Sequence, residues 1–248
     1  MTLRKPGEVS LERALSKLGI ASRTQARAWI QEGRVKVNGV VVRNPGKPVV
    51  PERIRVEIDG VQETRRSFQL LALHKPSGLV TTRSDERGRP TVFSLLPGRG
   101  HLAPVGRLDL ATTGLLLFTN DTRLSDWLTD PQTGIEREYV VTVRGEVGES
   151  VVARILSGFE HEGEWLQADH LERQKVSGRE SHLKIVLRQG KNREVRRLFE
   201  SQGHPVTRLK RIRYGGIALG DLPVGQVREI SPEQARAAFP DAPEFKNL

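Results

Sequence analysis

Gly106-Arg107-Leu108-Asp109-Leu110-Ala111-Thr112-Thr113-Gly114, followed at once by Leu115-Leu116-Leu117-Phe118, decides how the rest of this chain is read. The short apolar run predicts a buried strand. The segment before it sets one carboxylate beside one guanidinium, on a turn held against a core, where a rigid site can be built. Local pattern alone leaves a blander reading open, in which Asp109 caps a turn and Arg107 is its surface partner. The remainder of the chain has to decide between them.

The chain has 248 residues, which suits one large domain or a small one plus a medium one. Hydrophobic residues make up 36%, enough for a core but on the low side. Lys plus Arg number 40 against 30 Asp plus Glu, a net charge of +10 that favours a polyanionic partner. Nucleic acid fits better than a membrane, because no stretch is long and apolar enough to span a bilayer and no basic amphipathic helix stands out. The chain holds no cysteine, which excludes disulfides, thiolate catalysis and zinc–thiolate sites. Met1 to Glu8 has neither an apolar core nor a cleavage signature, so the expectation is a cytoplasmic protein without a signal peptide.

Outward from the central stretch towards the N-terminus, residues 9–62 read as a small α/β unit. Leu11, Ala14, Leu15 and Leu18 form one helical stripe that closes at Gly19. Ser22 with Gln25 predicts a capped second helix ending at Gly33. Asn38-Gly39 between Val-rich runs predicts a hairpin, and 54–58 a further strand. Arg23, Arg27, Arg34 and Lys36 cluster here, with Arg43 and Lys47. Singly each suits a solvated face; as a set they suit phosphate contacts. Residues 60–66 read as a polar linker.

Residues 67–231 read as a second domain and 232–248 as a C-terminal tail with a short helix over 233–238. Leu70 to Leu73 predicts a strand, broken at Lys75-Pro76-Ser77-Gly78. Thr91 is expected to cap a short helix, and Leu124, Trp127 and Leu128 mark another. The segment 138–144 predicts a strand with Tyr139, Val141 and Val143 on one face. Asn192 is expected to cap a helix with Val195, Leu198 and Phe199 inward and Arg193, Arg196 and Arg197 on its other faces. Further strands are expected near 183–187, 208–214 and 226–230. Helices and strands do not alternate regularly, which predicts an α+β fold with a largely antiparallel mixed sheet.

Several chemistries lack their residues. No Gly-rich phosphate loop follows a strand, so no nucleotide cofactor is expected. The six histidines are scattered, so no metal site is expected. There is no Gly-x-Ser-x-Gly elbow. His74 reads as packing or RNA contact rather than a general base. What remains is a carboxylate near basic groups. Residues 188–213 hold nine Lys or Arg and two acids, a bias that suggests an anion site. An adjacent guanidinium favours the ionised form of a carboxylate, which a nucleophile requires.

These motifs carry a resemblance. Gly106-Arg107-Leu108-Asp109 with Thr113-Gly114-Leu115-Leu116-Leu117 resembles the catalytic motif of pseudouridine synthases. Lys75-Pro76 with Gly78, Arg89-Pro90-Thr91-Val92, Arg137-Glu138-Tyr139, the run from Gly190 to Leu198, and Arg211-x-Arg213-Tyr214-Gly215 extend it. Ser22-Arg23 and the run from Gly33 to Gly39 resemble the S4-like RNA-binding module. The whole is similar to the ribosomal RNA synthases that carry such a module, with the large-subunit (23S) branch closer than the small-subunit (16S) one.

The resemblance implies isomerisation of a uridine in RNA to its C-glycoside, without cofactor or metal. It makes Asp109 the nucleophile, or the base that opens a route through the sugar. Tyr139 becomes the aromatic that stacks on the flipped base, Arg196 the partner of the catalytic Asp, and Arg107 a group that holds the flipped-out nucleotide. Lys75, Lys191 and Arg193 join Arg23, Arg27, Arg34 and Lys36 as RNA-binding candidates. Arg193 stands where more distant synthases carry His. The implied partner is ribosomal RNA or an assembling subunit, bound by a monomer. Flipping costs a few kcal/mol and needs a stacking platform, yet aromatics are only 5% of the chain, which leaves few platforms beyond Tyr139. Two other readings compete. A non-catalytic ribosome-assembly protein explains the charge but not an acid in an RNA-facing cleft. A methyltransferase fused to the same module lacks its Gly-rich strand-turn-helix.

Overall fold

A computed structural model describes residues 7–63, 67–96, 102–243 and 245. The first unit runs β1 (Val9–Ser10), α1 (Leu11–Lys17), α2 (Arg23–Glu32), β2 (Val35–Val37), β3 (Val40–Val41), β4 (Pro48–Val49), β5 (Val56–Ile58) and β6 (Val61–Glu63). Strands β3-β2-β5-β6 form one antiparallel sheet, and β1 pairs with β4. The Ser22 hydroxyl accepts from the Gln25 amide at 3.1 Å and so starts α2. Asn38 and Gly39 take φ of 52° and 82°, the pair of positive values that a two-residue hairpin turn requires. Leu11, Leu15, Ala26 and Ile30 of the helices pack on Val35, Val37 and Val56 of the sheet.

The expected linker at 60–66 is corrected in its first half. Asp59-Gly60 is a second hairpin turn, with φ of 53° and 82°, and Val61–Glu63 is strand β6. Val-Gln-Glu reads as polar because β6 is an edge strand whose Val61 stays exposed. Residues 64–66 lie outside the described residues.

The second unit contains β7 (Leu70–Lys75), β8 (Ala103–Pro104), β9 (Thr113–Thr119), α3 (Thr122–Thr129), β10 (Arg137–Arg144), α4 (Glu149–Ser157), β11 (Phe159–His161), β12 (Glu164–Leu166), β13 (His170–Val176) and β14 (Glu180–Leu187). It ends with α5 (Glu194–Glu200), β15 (Val206–Tyr214), β16 (Ile217–Ala218), β17 (Val227–Ile230) and α6 (Pro232–Ala238). The main sheet has the order β13-β14-β10-β15-β9-β7-β17, with β16 on β15 and β8 on β9. Within it β9 and β15 run parallel and the other pairs antiparallel.

Strand β9 is buried on both faces, as its unbroken apolar run predicts. Leu115 and Leu117 pack with Leu124 and Leu128 of α3, whereas Leu116 and Phe118 face a separate cluster with Leu71, Leu73 and Val92. A third cluster joins Val141 and Val143 of β10 to Leu198 and Phe199 of α5. At the parallel seam, Gly114 has φ of +100°, and a Cβ there would lie 2.2 Å from the Arg211 carbonyl oxygen. Only glycine lets the two backbones meet this closely.

Three further expectations are corrected. The C-terminal segment, read as a tail, is part of the core over its described residues: Ala235, Phe239, Ala242 and Phe245 pack with Leu70, Leu115 and Tyr214. A capping box between Ser231 and Gln234, with bonds of 3.0 and 3.2 Å, starts α6. Asn192 does not cap α5; Arg193 does so in a left-handed conformation, φ 49°, without a side-chain bond. Thr91 precedes a 3-10 turn at Val92–Leu95 and makes no side-chain cap. Strands β11 and β12 escaped the sequence reading because each is three residues long, and β13 because it is mostly polar, with only Leu171 buried. No helix among the described residues is long and apolar enough to cross a membrane.

Candidate active site

The site follows from one row of residues across the sheet. Lys75 on β7 faces Gly114 on β9, Gly114 faces Arg211 on β15, and Arg211 faces Tyr139 on β10. The 107–112 segment enters β9 just before Gly114, so the row places Asp109 near Tyr139. The end of β14 delivers the loop that starts α5 alongside. A cleft of about 150 Å³ results, whose wall includes Arg107, Asp109, Tyr139, Lys191, Arg193 and Arg211.

The Asp109 turn is fixed from several sides. Its carbonyl accepts from the Thr112 amide at 3.0 Å and from the Lys75 ammonium at 3.1 Å. The Gly78 amide donates to the Leu110 carbonyl at 2.8 Å. The Thr81 hydroxyl donates to the Leu108 carbonyl at 2.9 Å. The Asp109 side chain is 38% exposed, open to the cleft, while that of Arg196 behind it is 10% exposed. Arg196 Nε lies 3.9 Å from Asp109 Oδ2, an ion pair too long for a hydrogen bond. The guanidinium is aimed by its other arm, which donates to the Val206 carbonyl at 3.1 Å.

Beneath the cleft, two guanidinium groups, those of Arg137 and Arg211, contact the Tyr214 ring, each 5.0 Å from its centroid. Its hydroxyl donates to the Leu128 carbonyl at 2.7 Å. Arg211 Nε donates to the Leu115 carbonyl at 2.7 Å, which ties the cleft floor to β9. Glu194 also lines the cleft and accepts from the Lys191 amide at 3.0 Å; burial pushes its carboxyl above the usual range. Five cations against two acids make the cleft suited to an anionic ligand.

The structure brings Arg107, Asp109, Tyr139, Lys191 and Arg193 to one cleft and sets Arg196 directly behind it. Lys75 is corrected as an RNA-contact candidate. It is fully buried, and its ammonium donates to the carbonyls of Pro76, Asp109, Leu110 and Thr112. Burial lowers its pKa to about 8, against the pull of the Asp109 charge. Arg196, expected on a face of α5 other than that of Val195, Leu198 and Phe199, is buried there, at 8% exposure. Arg23, Arg27, Arg34 and Lys36 do not line this cleft. Arg27 pairs with Glu12 at 2.7 Å, Arg34 with Asp59 at 2.6 Å, and Lys36 with Glu57 at 3.9 Å, whereas Arg23 is exposed. Sequence reasoning quoted Glu194, Arg137, Arg211 and Tyr214 within its motifs but gave them no place at the site, where Glu194 lines the wall and the other three form the floor. Arg137 and Arg211 are basic residues in strands, and nothing local distinguishes a buried arginine from an exposed one.

Residues 69–201 match the RNA pseudouridylate synthase family, and residues 10–54 match the S4 domain. A ribosomal large subunit pseudouridine synthase B of Pseudomonas aeruginosa is 41% identical over 233 residues, 90% of this chain and 60% of that protein. An uncharacterized RNA pseudouridine synthase of Aquifex aeolicus is 37% identical over 94% of both chains. This chain thus spans 60% of the Pseudomonas protein and 49% of a synthase B of Xanthomonas campestris, but nearly all of the Aquifex protein. A crystal structure of a pseudouridylate synthase superposes with a TM-score of 0.64 at 26% identity, covering 91% of this chain and 97% of that one. By sequence and by fold, the chain belongs to the RNA pseudouridylate synthase family and carries an S4 domain ahead of the synthase domain.

Proposed function

We propose that this chain isomerises one uridine of large-subunit ribosomal RNA to pseudouridine in the cytoplasm, with residues 9–62 gripping the RNA and 67–231 doing the chemistry. The observation that carries this reading is the Asp109–Arg196 pair, 3.9 Å apart, at the wall of a basic cleft that also presents Tyr139. A carboxylate weakens a pure RNA binder, so its placement here calls for a chemical role.

In the reaction the N1–C1′ bond breaks, the uracil turns, and a C5–C1′ bond forms. N1 gains a proton and C5 loses one, so the product is an isomer and no oxidant, metal or group donor is consumed. Asp109 acts on the sugar as nucleophile or as base. Arg196 offsets its charge and fixes its direction. Tyr139 stacks on the flipped base, which replaces the stacking lost in the RNA. Arg107 holds the flipped nucleotide, and Lys191 and Arg193 draw in phosphates. Similarity to the synthase B proteins of Pseudomonas and Xanthomonas supports the large-subunit substrate.

The test follows from the atom balance. Ribosomal RNA labelled with tritium at uridine C5 must release label to water as pseudouridine forms. Release from large-subunit RNA by the purified protein, with the RNA otherwise intact, is expected. Release from small-subunit RNA alone would overturn the branch. RNA binding without release from either would leave a binding protein.

A further inference from the structure

Beyond Tyr139, a second aromatic surface stands beside the cleft. The β11–β12 hairpin pairs Phe159 with Leu166, Glu160 with Trp165 and His161 with Glu164. Phe159 and Leu166 point into the core with Leu198 and Phe199, so strand alternation turns Glu160 and Trp165 outward. Trp165 is 52% exposed, yet its indole is not loose. Gly158 has φ of +79°, and a Cβ there would lie 2.7 Å from the indole Nε1, so bare backbone seats the ring. Nε1 donates to Gln167 Oε1 at 3.3 Å, and Gln167 Nε2 donates to the Leu156 carbonyl at 2.9 Å. An exposed ring fixed in this way binds with little ordering cost.

The ring is also tied to the site. The Lys191 ammonium donates to the Trp165 carbonyl, and Lys191 lines the cleft. Arg197, the neighbour of Arg196 on α5, holds the Glu164 carboxylate and donates to the His161 carbonyl at 3.2 Å. Hairpin and Asp109 partner are therefore positioned by one helix. Exposed Glu160, the cross-strand neighbour of Trp165, repels phosphate, so this spot suits an uncharged π surface rather than the sugar–phosphate chain.

We propose that Trp165 is a second stacking platform, which holds an unpaired base of the RNA strand beside the flipped uridine. This rests on the synthase reading of the cleft, and the test separates the two. With an rRNA stem-loop carrying the unmodified target uridine, Trp165→Ala raises KM about 5- to 150-fold, the span of one lost base stack, while kcat changes little. Trp165→Phe restores most of the loss, and the melting temperature of both variants stays that of the wild type. An abasic nucleotide beside the uridine costs the wild type a similar factor and costs Trp165→Ala nothing more. Unchanged KM in Trp165→Ala, or fully additive losses, overturns the platform. A readout independent of turnover is the ¹⁹F signal of 5-fluorotryptophan at position 165, assigned through Trp165→Phe, on adding oligouridylate. A shift supports the platform even in a protein that forms no pseudouridine, which would sink the synthase reading alone. An unmoved Trp165 signal at saturating RNA sinks the platform in an active enzyme.

Discussion

The Lys75 ammonium donates to the backbone carbonyl of Asp109 at 3.1 Å, from inside the protein, and to those of Pro76, Leu110 and Thr112 at 3.0, 3.3 and 2.9 Å. One buried cation thus holds the turn that presents the carboxylate, without facing the cleft itself.

Lys75→Met is expected to destabilise the fold by about 3 kcal/mol or more, because it strands buried carbonyls that cost ~1–3 kcal/mol each. Activity should fall further than stability alone explains. The pH dependence has a definite sign. The folded value is about 8 against 10.5 unfolded, so between these the folded state loses its proton first. Linkage then makes the wild type gain stability relative to Lys75→Met as pH rises through that window. A neutral amine has fewer N–H groups for four carbonyls, so wild-type turnover should decline above about pH 8. Melts and pH–rate profiles of both proteins check this; an identical alkaline limb in Lys75→Met would remove Lys75 from the account.

Arg196→Lys keeps a positive charge but loses the planar fork that reaches both Asp109 and the Val206 carbonyl. Turnover is expected to fall about 10²- to 10³-fold, the loss typical of one electrostatic contact at a reacting centre. RNA affinity should hold. Single-turnover rates beside a filter-binding titration separate the two quantities.

Tyr139 offers a ring at the cleft wall, on a strand rooted in the core through Val141 and Val143. Tyr139→Phe retains the stacking surface and should bind RNA as the wild type does. Tyr139→Ala should lose about 5- to 150-fold in kcat/KM. Equal losses in both variants would assign the role to the hydroxyl instead.

Gly114→Ala places a Cβ 2.2 Å from the Arg211 carbonyl oxygen at a φ of +100°. Backbone has to move on one side of the parallel seam. Destabilisation of about 3 kcal/mol or more is expected, read as a lower midpoint in urea. Gly60→Ala, also at positive φ but with open space around it, should cost much less.

How much of this could be read beforehand depended on whether the signal was local. Leu115 to Phe118 announced a doubly buried strand, and Asn38-Gly39 announced its hairpin, because apolar runs and turn chemistry act over a few residues. Asp109, Tyr139 and Arg196 were nameable only through their ordered motifs. Their meeting depends on the row from Lys75 through Gly114 and Arg211 to Tyr139, which joins positions far apart in the chain. Lys75 read as a cation for RNA contact, since sequence does not show that four carbonyls surround it. The 232–248 segment looked like a tail because its apolar residues, Phe239, Ala242 and Phe245, are few and separated by prolines, yet they pack into the core. Trp165 was passed over because its strand is only three residues long, too short for an alternating pattern to show.

The most direct measurement is a pseudouridine map of ribosomal RNA from cells that lack the protein, then carry the wild type or Asp109→Asn. One large-subunit site should vanish with the protein, return with the wild type, and stay absent with Asp109→Asn although that variant is folded and binds RNA. Restoration of the site by Asp109→Asn, or a map unchanged by loss of the protein, would contradict the account.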